Sequence, residues 1–187
     1  MAKNINKTEF SEETKLKLDI FKKCFREWYP VFLHASYITR LYIYDMFAGS
    51  GKDTVGNFGS PIILLQEARG ENKQHCKHLI TANKKPSVIF GFNEKLQNKS
   101  AELKRNIEIE QAKCQKSCKY SSCPFSDKIH IGSYDFQELI QNKNVNTILN
   151  NKSYAKFILL DQYGFKQIND EVFLKLINSP KTDFIFF

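Results

Sequence analysis

Leu41-Tyr42-Ile43-Tyr44-Asp45-Met46-Phe47-Ala48-Gly49-Ser50-Gly51 is the stretch on which the fold turns. Its first four residues form a dense apolar run with no alternating polar positions, which reads as a strand buried on both faces. Gly49 and Gly51 then read as a tight turn, because glycine adopts left-handed backbone angles at little cost. A loop follows, after which Ser60-Pro61 supplies an N-cap and a proline for the first turn of a helix that Gly70 closes. Strand, glycine turn and helix together make the first unit of an α/β sheet.

The alternation continues downstream. Strands are expected at 88–92, 128–131, 157–161 and 183–187, and helices at 94–109 and 136–149. A last helix, capped by Asn169, ends near Asn178-Ser179-Pro180. Short apolar strands alternating with helices imply a parallel sheet covered on both faces, hence a Rossmann-like, doubly wound α/β fold with right-handed crossovers. Upstream, Leu18, Phe21, Phe25, Trp28 and Phe32 recur at steps of three and four, which predicts an amphipathic helix over 11–36. Pro30 disfavours helical geometry at Tyr29 and predicts a kink or break there. The expected organisation is an N-terminal helix (1–36) packed on the core, then a sheet domain (37–187) with a Cys- and Lys-rich insertion at about 110–127. The sequence stops on Asp183-Phe184-Ile185-Phe186-Phe187, although such sheets usually carry further strands, so the sheet is expected to be C-terminally incomplete.

Composition agrees with one globular unit. Of 187 residues 42% are hydrophobic and 26% charged, and sixteen Phe, eight Tyr and one Trp provide an aromatic-rich core, which excludes a disordered chain. Lys and Arg number 28 against 20 acidic residues, a formal net charge of +8 that favours polyanions. The lysines are scattered, so the excess fits a solvated surface as well as a contact with nucleic acid, which stays a candidate partner. With no apolar leader and no run of about 18 apolar residues, a cytoplasmic protein without a membrane segment is expected. Five cysteines, an odd number, fit reduced thiols better than a disulfide framework.

In open α/β sheets ligands bind beyond the carboxyl ends of the strands, where the strand order reverses. Three such ends carry chemistry: Asp45 to Gly51, Asn93-Glu94, and Asp161-Gln162-Tyr163-Gly164. Gly49 and Gly51 let a ligand approach the backbone, Glu94 is placed to accept from ribose hydroxyls, and Asp135 to lie near an adenine amino group. Each also has a plainer reading: a tight turn for the glycines, a favourable helix start for Glu94, an N-cap for Asp135. Gly49-Ser50-Gly51-Lys52 has a look of a phosphate-binding loop but fails its spacing, since Met46 stands at the first glycine position and Asp53 where Ser or Thr follows the lysine. The dinucleotide fingerprint fails likewise, with Thr54 in place of its third glycine.

The aromatic segment from Lys15 to Trp28, then Tyr44-Asp45-Met46-Phe47-Ala48-Gly49-Ser50-Gly51 and Gly59-Ser60-Pro61-Ile62, resembles the opening of three-Cys-motif partner proteins, whose pattern is D-x-F-A-G-x-G and then G-S-P-L. Asp161-Gln162-Tyr163-Gly164-Phe165, Ile168 and the stretch 174–187 resemble that family's D-P-[FY]-G segment and the strand after it. The resemblance covers most of the chain and is weakest over 71–86 and 110–127. It implies a class I methyltransferase-like core of bacteria or phages that binds S-adenosylmethionine beside a partner protein named for its cysteines. Asp45, Phe47, Gly49, Gly51, Glu94 and Asp135 are then the candidate cofactor-binding residues. Asp161, orienting or deprotonating the attacking group, and Tyr163, stacking on a planar substrate, are the candidate catalytic ones. Gln162 replaces the family's usual proline and Lys52 stands where an arginine is common. The segment is also similar to the D-P-P-Y turn of amino-group DNA methyltransferases, but one residue rather than two separates Asp161 from the tyrosine, so base flipping is not carried over. The rival reading is a non-catalytic scaffold working with a partner protein.

Cys114, Cys118 and Cys123 lie in the lysine-rich insertion at spacings that match neither zinc pairs nor a radical iron-sulfur motif. Free thiols are the expectation, with no metal. A zinc site would need a fourth ligand from His130, His75, Cys76 or His78. His34, alone on an apolar helix, reads as a packed or capping residue.

Overall fold

The computed structural model describes residues 8–161 and 168–187. Five parallel strands lie in the order β3-β2-β1-β4-β5, with β1 Arg40–Asp45, β2 Ser87–Asn93, β3 Ile129–Gly132, β4 Tyr154–Leu160 and β5 Thr182–Phe186. This is a doubly wound, Rossmann-like order, in which the chain moves one way from β1 to β3 and the other way from β4 to β5. Right-handed crossovers in opposite directions place their helices on opposite faces. The two cores are accordingly separate.

The first face carries α1 Glu12–Leu33, α2 Ser60–Arg69, α3 Gln74–Thr81 and α4 Gln97–Lys116. Its core joins Leu41 and Ile43 of β1, Phe90 and Phe92 of β2 and Phe157 of β4 to Phe21, Phe25 and Leu65 of the helices. The second face carries α5 Phe136–Gln141, α6 Lys143–Asn150 and α7 Asp170–Ile177, gathered on Met46, Ile158 and Leu160. Lys156, fully buried on this face, donates to the carbonyls of Leu149 (3.0 Å) and Asn151 (3.2 Å) and so satisfies the end of α6.

Helix α1 starts at the Ser11 cap, whose hydroxyl accepts from the Thr14 amide at 3.2 Å. Phe25, wholly buried, meets Tyr29 and Phe157 with ring centroids 5.2 Å away in each case. Trp28 donates to Asp183 of β5 at 2.8 Å, and the Arg26 guanidinium donates to both carboxylate oxygens of Glu67 on α2. The helix is not broken at Tyr29: it runs through Pro30 to Leu33. Pro30 sits in the last turn, where it removes one backbone bond, while Tyr29 and Leu33 are held in the core on either side.

Other boundaries differ from the sequence reading for local reasons. Ser60 does not cap α2, because its hydroxyl turns to Asp45 and Gly59 takes the cap position without a side-chain bond. The helix expected over 136–149 is two, since the Asn142 side chain accepts from Asn144 and starts a second helix. The α3 helix and the short 3-10 turn Glu71–Lys73 fill a stretch where no element was expected. Helix α4 runs on to Lys116 and takes Cys114 into its last turn. Among the described residues no helix is long and apolar enough to cross a membrane.

Candidate functional site

β1 and β4 are neighbours whose following connections leave in opposite directions, so the crevice beyond their carboxyl ends is the topological switch point. Asp45 ends β1 there with its carboxylate wholly buried. It accepts from the Phe47 amide at 3.1 Å and from the Ser60 hydroxyl at 2.5 Å, which ties the turn to the first residue of α2. Burial pushes this carboxyl up to about 7; the two hydrogen bonds pull it down, and the charges of Asp161 and Glu94 push it up again.

The glycine turn is pinned from all sides. Gly49 has φ 60° and Gly51 φ 78°, both in the left-handed region. The Gly49 amide donates to Glu94 Oε2 at 3.1 Å, while Glu94 Oε1 accepts from the Leu96 amide at 2.8 Å. At Gly51 the requirement for glycine is also one of packing, because a Cβ would stand 2.8 Å from Leu103 Cδ1 of α4. Asn106 of α4 donates to the Ser50 carbonyl at 2.8 Å, and the Gly59 amide to the Gly51 carbonyl at 2.9 Å. Phe47 turns to the second face, its ring 5.0 Å from that of Phe136.

Asp135 is the N-cap of α5, accepting from the Gln137 amide at 2.8 Å, and pairs with Lys95 at 2.7 Å. Lys95 holds its carboxyl below the usual carboxylate value. Because Lys95 directly follows Glu94, this pair links the loops beyond β2 and β3. Asp161, beyond β4, lies 3.7 Å from Lys17 of α1. Burial raises its carboxyl and the Lys17 charge opposes that. Tyr163, the other candidate catalytic residue, lies with Gln162 and Gly164 outside the described residues.

Asn93 is a residue the sequence reading passed over in favour of Glu94. It is buried, donates from Nδ2 to the carbonyls of Met46 (3.3 Å) and Tyr134 (3.0 Å), and accepts from the Tyr134 amide at 3.0 Å. With the Ala48 amide on its own carbonyl at 2.8 Å, it fastens the loops after β1 and β3 to the end of β2. An amide ending an otherwise apolar strand was the available signal. Lys17 and Ser60 gave none, since their partners lie 144 and 15 positions away.

All five cysteines are free. Cys76 is buried and Cys123 packs against the same core, while Lys73 reaches the Cys114 carbonyl at 3.0 Å. Among the described residues no group of three or more His, Cys, Asp or Glu is arranged to hold a metal. The imidazoles considered as a fourth ligand lie elsewhere: His75 against Tyr29, His78 against His34 at 4.3 Å between centroids, and His130 exposed on the second face of the sheet.

No family model and no curated protein matches the chain. Among solved structures it is similar to the Escherichia coli protein described as "putative methyltransferase yhhF", at 13% identity and TM-score 0.40, over 87% of this chain and 61% of that one. It is also similar to a "putative caffeoyl-CoA O-methyltransferase" of Staphylococcus aureus, at 13% identity and TM-score 0.43, over 90% of this chain and 53% of that one. The chain thus spans little more than half the length of these structures. At such scores the fold rests on the strand order described above.

Proposed function

We propose that this chain is an S-adenosylmethionine-dependent, methyltransferase-like protein of the three-Cys-motif partner family, with nucleic acid as the acceptor class and a cysteine-bearing protein as partner. The observation that carries the reading is the Glu94 carboxylate seated on the Gly49 amide at the switch point, with Asp45 and Asp161 beside it. A phosphate-binding glycine loop offers its amides to an anion. Here that amide is already given to a carboxylate and the surroundings are acidic, which suits a ligand bearing cationic groups, as S-adenosylmethionine does with its sulfonium and ammonium.

Each Glu94 oxygen holds one backbone donor and keeps a lone pair for a ribose hydroxyl. Gly49 and Gly51 keep the turn low, Phe47 offers a ring edge, and Asp45 orients the turn through Phe47 and Ser60. Asp135, fixed by Lys95, is left to meet the adenine amino group. Bound cofactor supplies an electrophilic methyl group, so the chain's task is to align a nucleophile and exclude water. Asp161, raised by burial, takes or directs the proton of an attacking amine or hydroxyl. Tyr163 is assigned the face of the acceptor. The formal charge of +8 favours a polyanionic acceptor.

Calorimetry with S-adenosylmethionine and its demethylated product tests the reading. Glu94→Ala should weaken binding by about 1–3 kcal/mol, roughly 5- to 150-fold, through loss of a charged acceptor. Asp161→Ala should weaken binding less than Glu94→Ala and abolish transfer of labelled methyl to a mixed DNA and RNA substrate. If the intact protein binds neither compound at millimolar concentration, the enzyme reading is overturned and the scaffold reading replaces it.

A further inference from the structure

The second face of the sheet holds a groove that the cofactor reading does not use. It encloses about 620 Å³, within the range of small-molecule sites, and runs down β1, β2 and β3 on one side and the α5–α6 corner on the other. Near the strand ends Met46, Phe92, Asn93, Gly132 and Tyr134 reach it; Tyr42, Ile89 and His130 lie further down the sheet.

Its floor is built from aromatic rings laid beside missing side chains. Tyr44, Gly91 and His130 are register partners on neighbouring strands and share this face. A Cβ at Gly91 would stand 2.4 Å from two carbons of the Tyr44 ring, so that ring leans across into the place of a β2 side chain. Tyr42 lies beside it with centroids 5.8 Å apart and planes 23° apart. The same arrangement recurs at the mouth, where the Tyr134 ring stands 2.7 Å from the Cβ position of Gly132. Tyr42 itself is buried, so it is the half-buried Tyr44 ring, laid over a floor lowered by glycine, that offers a platform on which another flat ring stacks. Leu139, Val145 and Ile148 close the side wall, and the Asn142 break between α5 and α6 turns that wall around the groove.

The charges select further. Although the chain has a formal charge of +8, among the described residues no lysine or arginine lines the groove, and Glu138 is the one carboxylate that does. A phosphate or carboxylate would face Glu138, and the Arg40 guanidinium at the Tyr42 end is already given to the Tyr42 hydroxyl at 3.2 Å, whereas an amino group would find a partner in Glu138. We infer that this groove binds a small, flat aromatic molecule bearing an amino group and no phosphate or carboxylate. The inference does not rest on the methyl-transfer reading.

Calorimetry on the full chain with three probes of similar size tests it: tryptamine, indole-3-acetate and cyclohexylethylamine. Tryptamine binds and the other two bind at least tenfold more weakly, one for its carboxylate and one because its ring is saturated and puckered rather than flat and aromatic. Asn144→Trp, an exposed position at the groove that packs in neither core, fills the space and lowers tryptamine affinity at least tenfold. Val145→Trp does the same from the side wall, and Glu138→Gln weakens tryptamine but not neutral indole. Neither Asn144→Trp nor Glu138→Gln changes the melting temperature by more than a few degrees or alters affinity for S-adenosylmethionine. No binding of tryptamine at millimolar concentration overturns the inference. So does indole-3-acetate binding as tightly as tryptamine, or undiminished tryptamine binding by a folded Asn144→Trp protein.

Discussion

Asp45 offers a test that reads the site through stability alone. Its carboxyl rises from 3.8 to about 7 in the folded protein, chiefly through burial. A rise of about three pH units at about 1.4 kcal/mol each corresponds to about 4 kcal/mol. The sign follows from proton counting. Between pH 4 and 7 the folded chain holds a proton on Asp45 that the unfolded chain has lost, so raising the pH destabilises the fold across that window. Asp161, also raised by burial, acts in the same sense, while His75 and His78, lowered chiefly by burial, act in the opposite one. The histidine contributions cancel when wild type is compared with Asp45→Asn, which keeps the shape and removes the titration, and Asp161 cancels apart from its coupling to Asp45. Urea unfolding at pH 4, 5, 6, 7 and 8 should show the stability of Asp45→Asn minus that of wild type rising by about 4 kcal/mol from the acid end to the alkaline end. A difference that stays flat within about 1 kcal/mol would mean that Asp45 titrates as an ordinary surface carboxylate, and would refute the burial argument.

Phe25→Ala should cost roughly 3–5 kcal/mol in a urea titration, because the ring is wholly buried among Tyr29, Trp28 and Phe157; a loss below about 1 kcal/mol would make α1 peripheral. Gly51→Val should lower the melting temperature more than Gly56→Val, since both have positive φ but only Gly51 would meet Leu103 at 2.8 Å while nothing lies near Gly56. Equal losses would deny the packing role. Asn93→Ala should cost about 1–3 kcal/mol, through backbone groups of Met46 and Tyr134 left without their partner. Thermal unfolding would check that, and a neutral substitution would show that water replaces the amide.

The elements that were legible in the sequence are those whose signal is local. Strand β1 and its glycine turn, the Asn169 cap of α7 and the aromatic stripe of α1 each sit within a few residues of their cause. The glycines themselves were legible as a turn, but half the reason for Gly51 is Leu103, which only the packing of α4 brings near. Ser60 reads as a cap because serine before proline commonly is one, and nothing local announces that a buried carboxylate competes for its hydroxyl. The 136–149 segment carries a continuous helical pattern, and a single capping side chain at Asn142 divides it. Asn93 and Lys17 act on groups that are neighbours only once the sheet has formed. For Asp135 the structure has both the N-cap of the plainer reading and a position on the loop beyond β3, so those two readings are compatible.

The helices on the two faces of the sheet differ in length, and that asymmetry gives the molecule a stiff side and a soft one. The first face is braced by helices of 22 and 20 residues locked to an aromatic cluster, whereas those of the second have six to eight. So short a helix has almost no stability of its own and exists by leave of its contacts. Partial opening therefore costs least at α5–α7, where it frees Phe47 from Phe136 while Ser50 and Gly51 stay gripped between α2 and α4. Breathing on one side and firmer packing on the other let the wall over the tyrosine platform move while the backbone of Ser50 and Gly51 stays held.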